Sequence, residues 1–203
     1  ALCREIAAQG SRCLQEGAAR TVYIGGGTPT ALFASDLLAV VAAVRSAFRL
    51  TGEEEFTVEA NPGTVDAPLL VNLRKAGVNR LSFGVQSFSQ PLLRAIGRIH
   101  TAGEAEDAVR MAQREGFRVS LDLMYGLPQQ TLDDIKESVE RAAALAVGHI
   151  SVYGLAVEEG TPFARMEAEG RLALPADDAA GDMYDYITKQ LPHLGYRRYE
   201  ISN

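Results

Sequence analysis

Short apolar runs rich in β-forming residues alternate with helical patterns along the whole chain, and this alternation restricts the fold more than any other feature. The runs are 21–24, 56–60, 80–85, 118–124, 149–153 and 196–201. Between them lie helical patterns at 35–48, 66–76, 90–96, 103–115, 131–146 and 176–191. The strand runs are short and mostly apolar, as expected for strands covered on both faces of a parallel sheet. Strand, loop, helix and stop, repeated in that order, predict βαβ units with right-handed crossovers. The expectation is an α/β chain that forms most of one domain over residues 1–203, arranged as a partial barrel. An apolar content of 47% is enough to give such a chain a sizeable core.

Local signals mark the helix ends. Asp66 can cap a helix opening at Ala67-Pro68, where proline suits the first turn. Gly77 and Gly116 fit left-handed stops. Thr131 to Asp134 reads as a capping box with Asp in place of Glu. Pro175-Ala176-Asp177-Asp178 starts a helix rather than a linker. Residues 1–17 also read as helix, with Leu2, Ile6, Cys13 and Leu14 near one face. A chain without Met that opens inside a helix, and closes on Tyr199-Glu200-Ile201-Ser202-Asn203, reads as cut at both ends.

Charge and composition exclude several classes. A formal net charge of −6 gives no electrostatic reason to expect nucleic acid. No apolar run approaches the roughly 20 residues of a membrane span, and no leader pattern opens the chain. The two cysteines, Cys3 and Cys13, lie ten residues apart on one helix, too far to pair there. They read as buried apolar thiols, and so few cysteines suit a reducing, cytoplasmic compartment. His100, His149 and His193 have no metal-ligand spacing and read as surface or strand-edge residues. No metal site and no catalytic triad emerges.

The polar residues gather at one end of successive strands. The first strand runs into Gly25-Gly26-Gly27-Thr28-Pro29-Thr30. The second carries Glu59 and runs into Asn61-Pro62-Gly63. Gln86-Ser87 follow the third, and the fourth holds Asp122 before Tyr125-Gly126-Leu127-Pro128. The fifth reaches Gly154 and Ala156, then Glu158-Glu159, which read as a solvated loop. In parallel α/β sheets and barrels that end is where ligands bind. The glycines fit either a close backbone approach to a ligand or a tight turn. They lack the Gly-Lys-Ser/Thr ending of a P-loop and the third glycine of a dinucleotide fingerprint. Glu59 and Asp122 sit in apolar strands, which requires a partner, either a structural ion pair or a ligand hydroxyl or ammonium. Gln86 suits a ribose-like group, and Arg98 a carboxylate, unless it is a surface arginine.

Several of these segments together resemble one family. They are Tyr23 to Thr30, Glu59 to Thr64, Leu81 to Phe88, Gly97-Arg98-Ile99-His100, Leu121 to Thr131 and Tyr199 to Asn203. In order and spacing they are similar to the radical S-adenosylmethionine (SAM) proteins related to oxygen-independent coproporphyrinogen III oxidase. Tyr-Glu-Ile-Ser-Asn and Gly-Arg-Ile-His lean toward the haem-chaperone-like branch. The resemblance implies a partial (β/α)6 TIM-like barrel, here with its first strand missing, that holds SAM and a [4Fe-4S] cluster. Carried over motif by motif, Gly26, Gly27 and Thr28 would hold the amino and carboxylate end of SAM. Glu59 and Arg98 would sit around the methionyl moiety, Gln86 and Asp122 at the ribose hydroxyls, and Ala156 at the adenine.

One part of the family pattern is missing. The Cys-x3-Cys-x2-Cys motif that supplies three cluster thiolates is absent, and Cys3 and Cys13 have the wrong spacing. The resemblance places those ligands upstream, so this chain alone is expected to be inactive. The implied partners are SAM, an electron donor, and haem or coproporphyrinogen III. In the oxidase version a 5′-deoxyadenosyl radical would decarboxylate substrate propionates; in the chaperone version haem is bound and passed on. Two alternatives from other classes remain: a cluster-less module for a nucleotide-like ligand, and a barrel enzyme using Glu59 or Asp122 as general base.

Overall fold

The computed structural model describes residues 1–13 and 17–201 of the chain. Its strands are β1 (Thr21–Ile24), β2 (Glu55–Ala60), β3 (Arg80–Gln86), β4 (Arg118–Tyr125) and β5 (His149–Gly154). They are hydrogen-bonded in chain order, β1-β2-β3-β4-β5, so each crossover leads to the neighbouring strand. β1 runs parallel to β2, with Val22 opposite Phe56, and β2 runs parallel to β3, with Glu59 opposite Ser82. The helices are α1 (Leu2–Cys13), α2 (Ala34–Ala47), α3 (Ala67–Lys75), α4 (Gln90–Ala95), α5 (Ala102–Arg114), α6 (Leu132–Ala144), α7 (Pro162–Ala168) and α8 (Asp177–His193).

The chain divides into two compact units, Ala1–Gly84 with Asp107–Ser120, and Val85–Glu106 with Leu121–Asn203. The first has a core of Leu37, Val41, Phe56, Val58, Leu70, Leu73, Leu81 and Phe83. In the second, Ile135 and Val139 of α6 pack with Met183 and Ile187 of α8. Both cores come from mostly apolar strand runs and from single apolar stripes on the helices, as the sequence pattern requires.

Capping chemistry fixes the helix ends. The Leu69 amide donates to Asp66 Oδ1 at 2.8 Å at the start of α3. Thr131 and Asp134 cap α6 reciprocally, each side chain accepting from the other residue's amide. Helices α3, α4 and α5 close in the same way. Gly77, Gly97 and Gly116 have φ of +94°, +70° and +78°. Each glycine amide, and the amide that follows it, donates back into the last helical turn, as in Arg98 to the Leu93 carbonyl at 2.8 Å.

Some expectations change. Residues 196–201 do not form a strand; Tyr196 and Tyr199 contact Val147 and His149 through their hydroxyls, at 2.9 and 2.8 Å. A β-prone run becomes a strand only when a neighbour completes its ladder, and here side-chain contacts hold the segment. Cys3 and Cys13 are free thiols but only half-buried, because one face of α1 is left partly open. The predicted helix 1–17 is seen as Leu2–Cys13. Leu14, Ser202 and Asn203 lie outside the described residues. Helix α7 was not expected; seven residues carry little periodicity, although Thr161 caps it and Pro162 opens it. Among the described residues no helix is long and apolar enough to cross a membrane.

Candidate ligand site

In the first unit, β1 leads into the glycine run and β2 presents Glu59. Gly26 and Gly27 have φ of +92° and +106°, a region open to glycine, and a side chain at either would meet open space. Gly25 is needed for a different reason. A Cβ there would lie 2.6 Å from Glu59 Cδ and 2.7 Å from the Tyr23 ring. The bare backbone lets the carboxylate lie on the loop, where Tyr23 donates its hydroxyl to Oε1 at 2.8 Å and the Gly26 amide donates to Oε2 at 3.0 Å. These two donors meet the cost that a carboxylate in an apolar strand implies.

The loop is tied down behind this point. The Thr28 carbonyl accepts from Ala31 across a single turn over Pro29–Ala31. Buried Thr30 lies 2.6 Å, hydroxyl to hydroxyl, from Thr64 and accepts from the Asn61 amide at 3.3 Å. Asn61-Pro62-Gly63-Thr64 therefore braces the glycine run. The structure brings Gly26 and Glu59 into contact, with Gly27 exposed and Thr28 half-buried beside them.

In the second unit, Gln86 ends β3 with φ of +69°, an uncommon value for a residue with a side chain. The Ser87 amide donates to the Val85 carbonyl at 2.9 Å across it. Its carboxamide Oε1 is buried and meets no hydrogen-bond partner among the described residues. Asp122 of β4 is half-buried and faces Arg98, which the glycine stop after α4 carries into place. Burial lowers the pKa of the Arg98 guanidinium and the Asp122 charge raises it again, so Arg98 is half-buried within electrostatic reach of a carboxylate rather than lying free on the surface. Ala156 is exposed in the loop after β5, a loop anchored where Leu155 donates to the Tyr125 carbonyl at 2.9 Å. Glu158 and Glu159 are exposed, as expected.

One histidine departs from expectation. His100 is 1% exposed, and its Nε2 lies 3.3 Å from the Val85 carbonyl. The turn after α4 sends it inward, and a lone histidine in a loop gives no periodic signal of that. Burial is the main cause lowering its pKa; Arg98 adds to this, while the Val85 carbonyl and Glu104 oppose it. In the unfolded chain His100 titrates near 6.5, above its folded value. Its neutral state therefore costs nothing above that pH, and stability is lost as pH falls below it. The melting temperature is expected to drop between pH 7.5 and 5.5, and to drop less in His100→Gln, as read by circular dichroism. No group of His, Cys, Asp and Glu among the described residues is arranged to hold a metal ion.

A cavity of about 390 Å³ opens elsewhere in the second unit, along β5, α8 and residues 195–201. Tyr153, Tyr184 and Tyr199 line it, but none of Gln86, Arg98, Asp122 and Ala156 does.

In the first unit a glycine loop seats a carboxylate at a strand end, and in the second a buried carboxamide, an arginine and an aspartate lie at or near strand ends, the end where parallel α/β sheets bind ligands. The chain belongs to the radical SAM superfamily, whose family description matches residues 3–142. Proteins of that superfamily use SAM and a [4Fe-4S] cluster, and the fold class is the α/β partial TIM-like barrel of the radical SAM type. Among individual proteins, the heme chaperone HemW of Lactococcus lactis is 42% identical over 185 residues, 91% of this chain and 49% of that protein. HemW of Escherichia coli is 41% identical over 184 residues, 90% of this chain and 48% of the relative. The solved coproporphyrinogen III oxidase HemN of Escherichia coli superposes with a TM-score of 0.84 at 27% identity, over 97% of this chain and 45% of that one. The chain thus spans about half the length of the curated relatives it matches. The family expectation drawn from the motifs holds.

Proposed function

We propose that the protein to which this chain belongs is a haem-chaperone-like radical SAM protein that binds SAM at the strand ends described above. The observation that carries the reading is Gln86, whose buried carboxamide oxygen sits in a costly turn without a donor among the described residues. A ribose hydroxyl is a donor of the kind that oxygen lacks. Asp122 would take the ribose hydroxyls with it. Gly26, Gly27 and Thr28 would hold the amino and carboxylate end, and Glu59 and Arg98 the methionyl moiety. Ala156 would lie at the adenine.

A [4Fe-4S] cluster would be held by three thiolates outside this chain, since Cys3 and Cys13 lack the spacing for it. When bound and reduced by an electron donor, the cluster supplies the electron for reductive cleavage of SAM. The residues of this chain orient SAM. Tyr23 and Gly26 keep the Glu59 carboxylate in place, and the Asp122 charge favours the charged form of Arg98. Identity of about 40% to heme chaperones against 27% to the oxidase favours haem binding and transfer over decarboxylation. The cysteine usage favours a cytoplasmic location.

Iron and sulfide analysis of the complete protein after anaerobic reconstitution tests this. About four of each per chain are expected, with uptake of haem and no conversion of coproporphyrinogen III. Conversion of coproporphyrinogen III would move the assignment to the oxidase. Absence of iron would end the radical reading and leave a module for a nucleotide-like ligand.

A further inference from the structure

We propose that His100 is a positioning residue for the ligand site. It clamps the Val85 carbonyl and so holds the turn that aims the Gln86 carboxamide. The inference rests on the SAM reading above, and it adds a residue that the family motifs did not place in the site.

The argument starts at the backbone. Gln86 has φ of +69°, and the Ser87 amide closes on the Val85 carbonyl at 2.9 Å. A three-residue turn with positive φ at its centre is the strained hand of the γ-turn. An L-residue stays in such a turn only where its surroundings force it to.

A carbonyl has two lone pairs. At Val85 one receives the Ser87 amide, and His100 Nε2 stands 3.3 Å from the same oxygen. A carbonyl can only accept, so Nε2 carries the proton. Burial of the ring lowers its pKa, which favours the neutral form. On the other side, Ser138 of α6 receives the Phe88 amide at 3.1 Å, and the Ser87 hydroxyl receives the Ser89 amide at 3.1 Å. Gln86 is thus pinned from before and after.

The path of the chain supports a shared role for Arg98 and His100. The glycine stop at Gly97 turns the chain back, and alternate residues then point to opposite sides. Ile99 is 74% exposed, while Arg98 faces Asp122 and His100 reaches Val85. One tripeptide therefore serves the strand ends of both β3 and β4. If His100 merely filled space, an apolar ring of the same size would serve as well.

The test uses the complete protein. His100→Phe keeps the ring and removes the donor, and His100→Gln restores an N–H in nearly the same place. SAM affinity, by equilibrium dialysis, is expected to fall roughly tenfold in His100→Phe, about the loss of one hydrogen bond. It is expected to recover in His100→Gln. Gln86→Ala alone should weaken SAM similarly, and adding His100→Phe to it should cost no more, because both changes remove one interaction. The Ser87 amide should exchange faster with solvent in His100→Phe, as read by NMR.

Unchanged affinity in His100→Phe, or losses that add with Gln86→Ala, would overturn the proposal. If the wild-type protein binds no SAM, the ligand reading fails by itself. Ser87 exchange then decides whether His100 holds the turn, and unchanged exchange overturns that as well. Should His100→Phe not fold, His100→Met, also without a donor, takes its place.

Discussion

Gln86→Gly in the complete protein is expected to lower SAM affinity by roughly 5- to 150-fold, the equivalent of about 1–3 kcal/mol for a hydrogen bond in a buried site. The same change should leave the melting temperature level or raise it. Glycine enters the φ of +69° without the steric cost that glutamine bears there. It also removes a buried oxygen that has no hydrogen-bond partner among the described residues. The entropy that glycine adds to the unfolded chain offsets part of the gain, about 0.5–1 kcal/mol. Isothermal titration calorimetry and differential scanning calorimetry on one preparation read both quantities. Unchanged affinity would remove Gln86 from the ligand site. A clear loss of stability would mean that its side chain is there for packing.

Phe83→Ala should behave in the opposite way. Phe83 lies three positions before Gln86 on β3, is wholly buried, and stands opposite Ala60 of β2. Truncating a buried phenylalanine costs about 3–5 kcal/mol through lost transfer energy and the cavity left behind. In a chain of this size that lowers the melting temperature by roughly 10 °C. Leu81, Phe83 and Val85 share one face of β3, while Ser82, Gly84 and Gln86 share the other. SAM affinity measured well below the melting temperature is therefore expected to hold. A stability loss under 1 kcal/mol would contradict the close packing of this strand. The two variants together separate the face of β3 that builds the core from the face that meets the ligand.

The alternation of strands and helices was readable because mostly apolar runs and single apolar stripes are direct consequences of burial. Helix ends were readable where a named side chain or a glycine makes them, as at Asp66, Thr131, Gly77 and Gly116. Residues 196–201 were not, since strand formation depends on a neighbour that composition does not reveal. Helix α7 was too short for its period to show. In the site, the polar strand ends were legible as a set, because carboxylates and amides in apolar runs stand out. The partners were less so. Nothing in the spacing tied Tyr23 to Glu59, and the positive φ of Gln86 has no signature in a residue that is not a usual turn former. His100 was misjudged for the same reason: its burial comes from the direction of a turn, not from its neighbours in sequence.

The repeated glycine closures have a kinetic consequence. In α3 and α5 the residues that complete the closure, Val78 and Phe117, are followed within a few positions by β3 and β4. Asn79 then donates to the Phe56 carbonyl and Arg118 to the Asn79 carbonyl, the first rungs toward each next strand. These rungs join residues far apart in the chain, but the helix ends just before them are set by contacts within a few residues. Loop closure of that length is fast, whereas parallel pairing over a long crossover is slow. Each strand can thus meet its neighbour already in step, which limits the time during which a mispaired, aggregation-prone edge is exposed as the chain is synthesised.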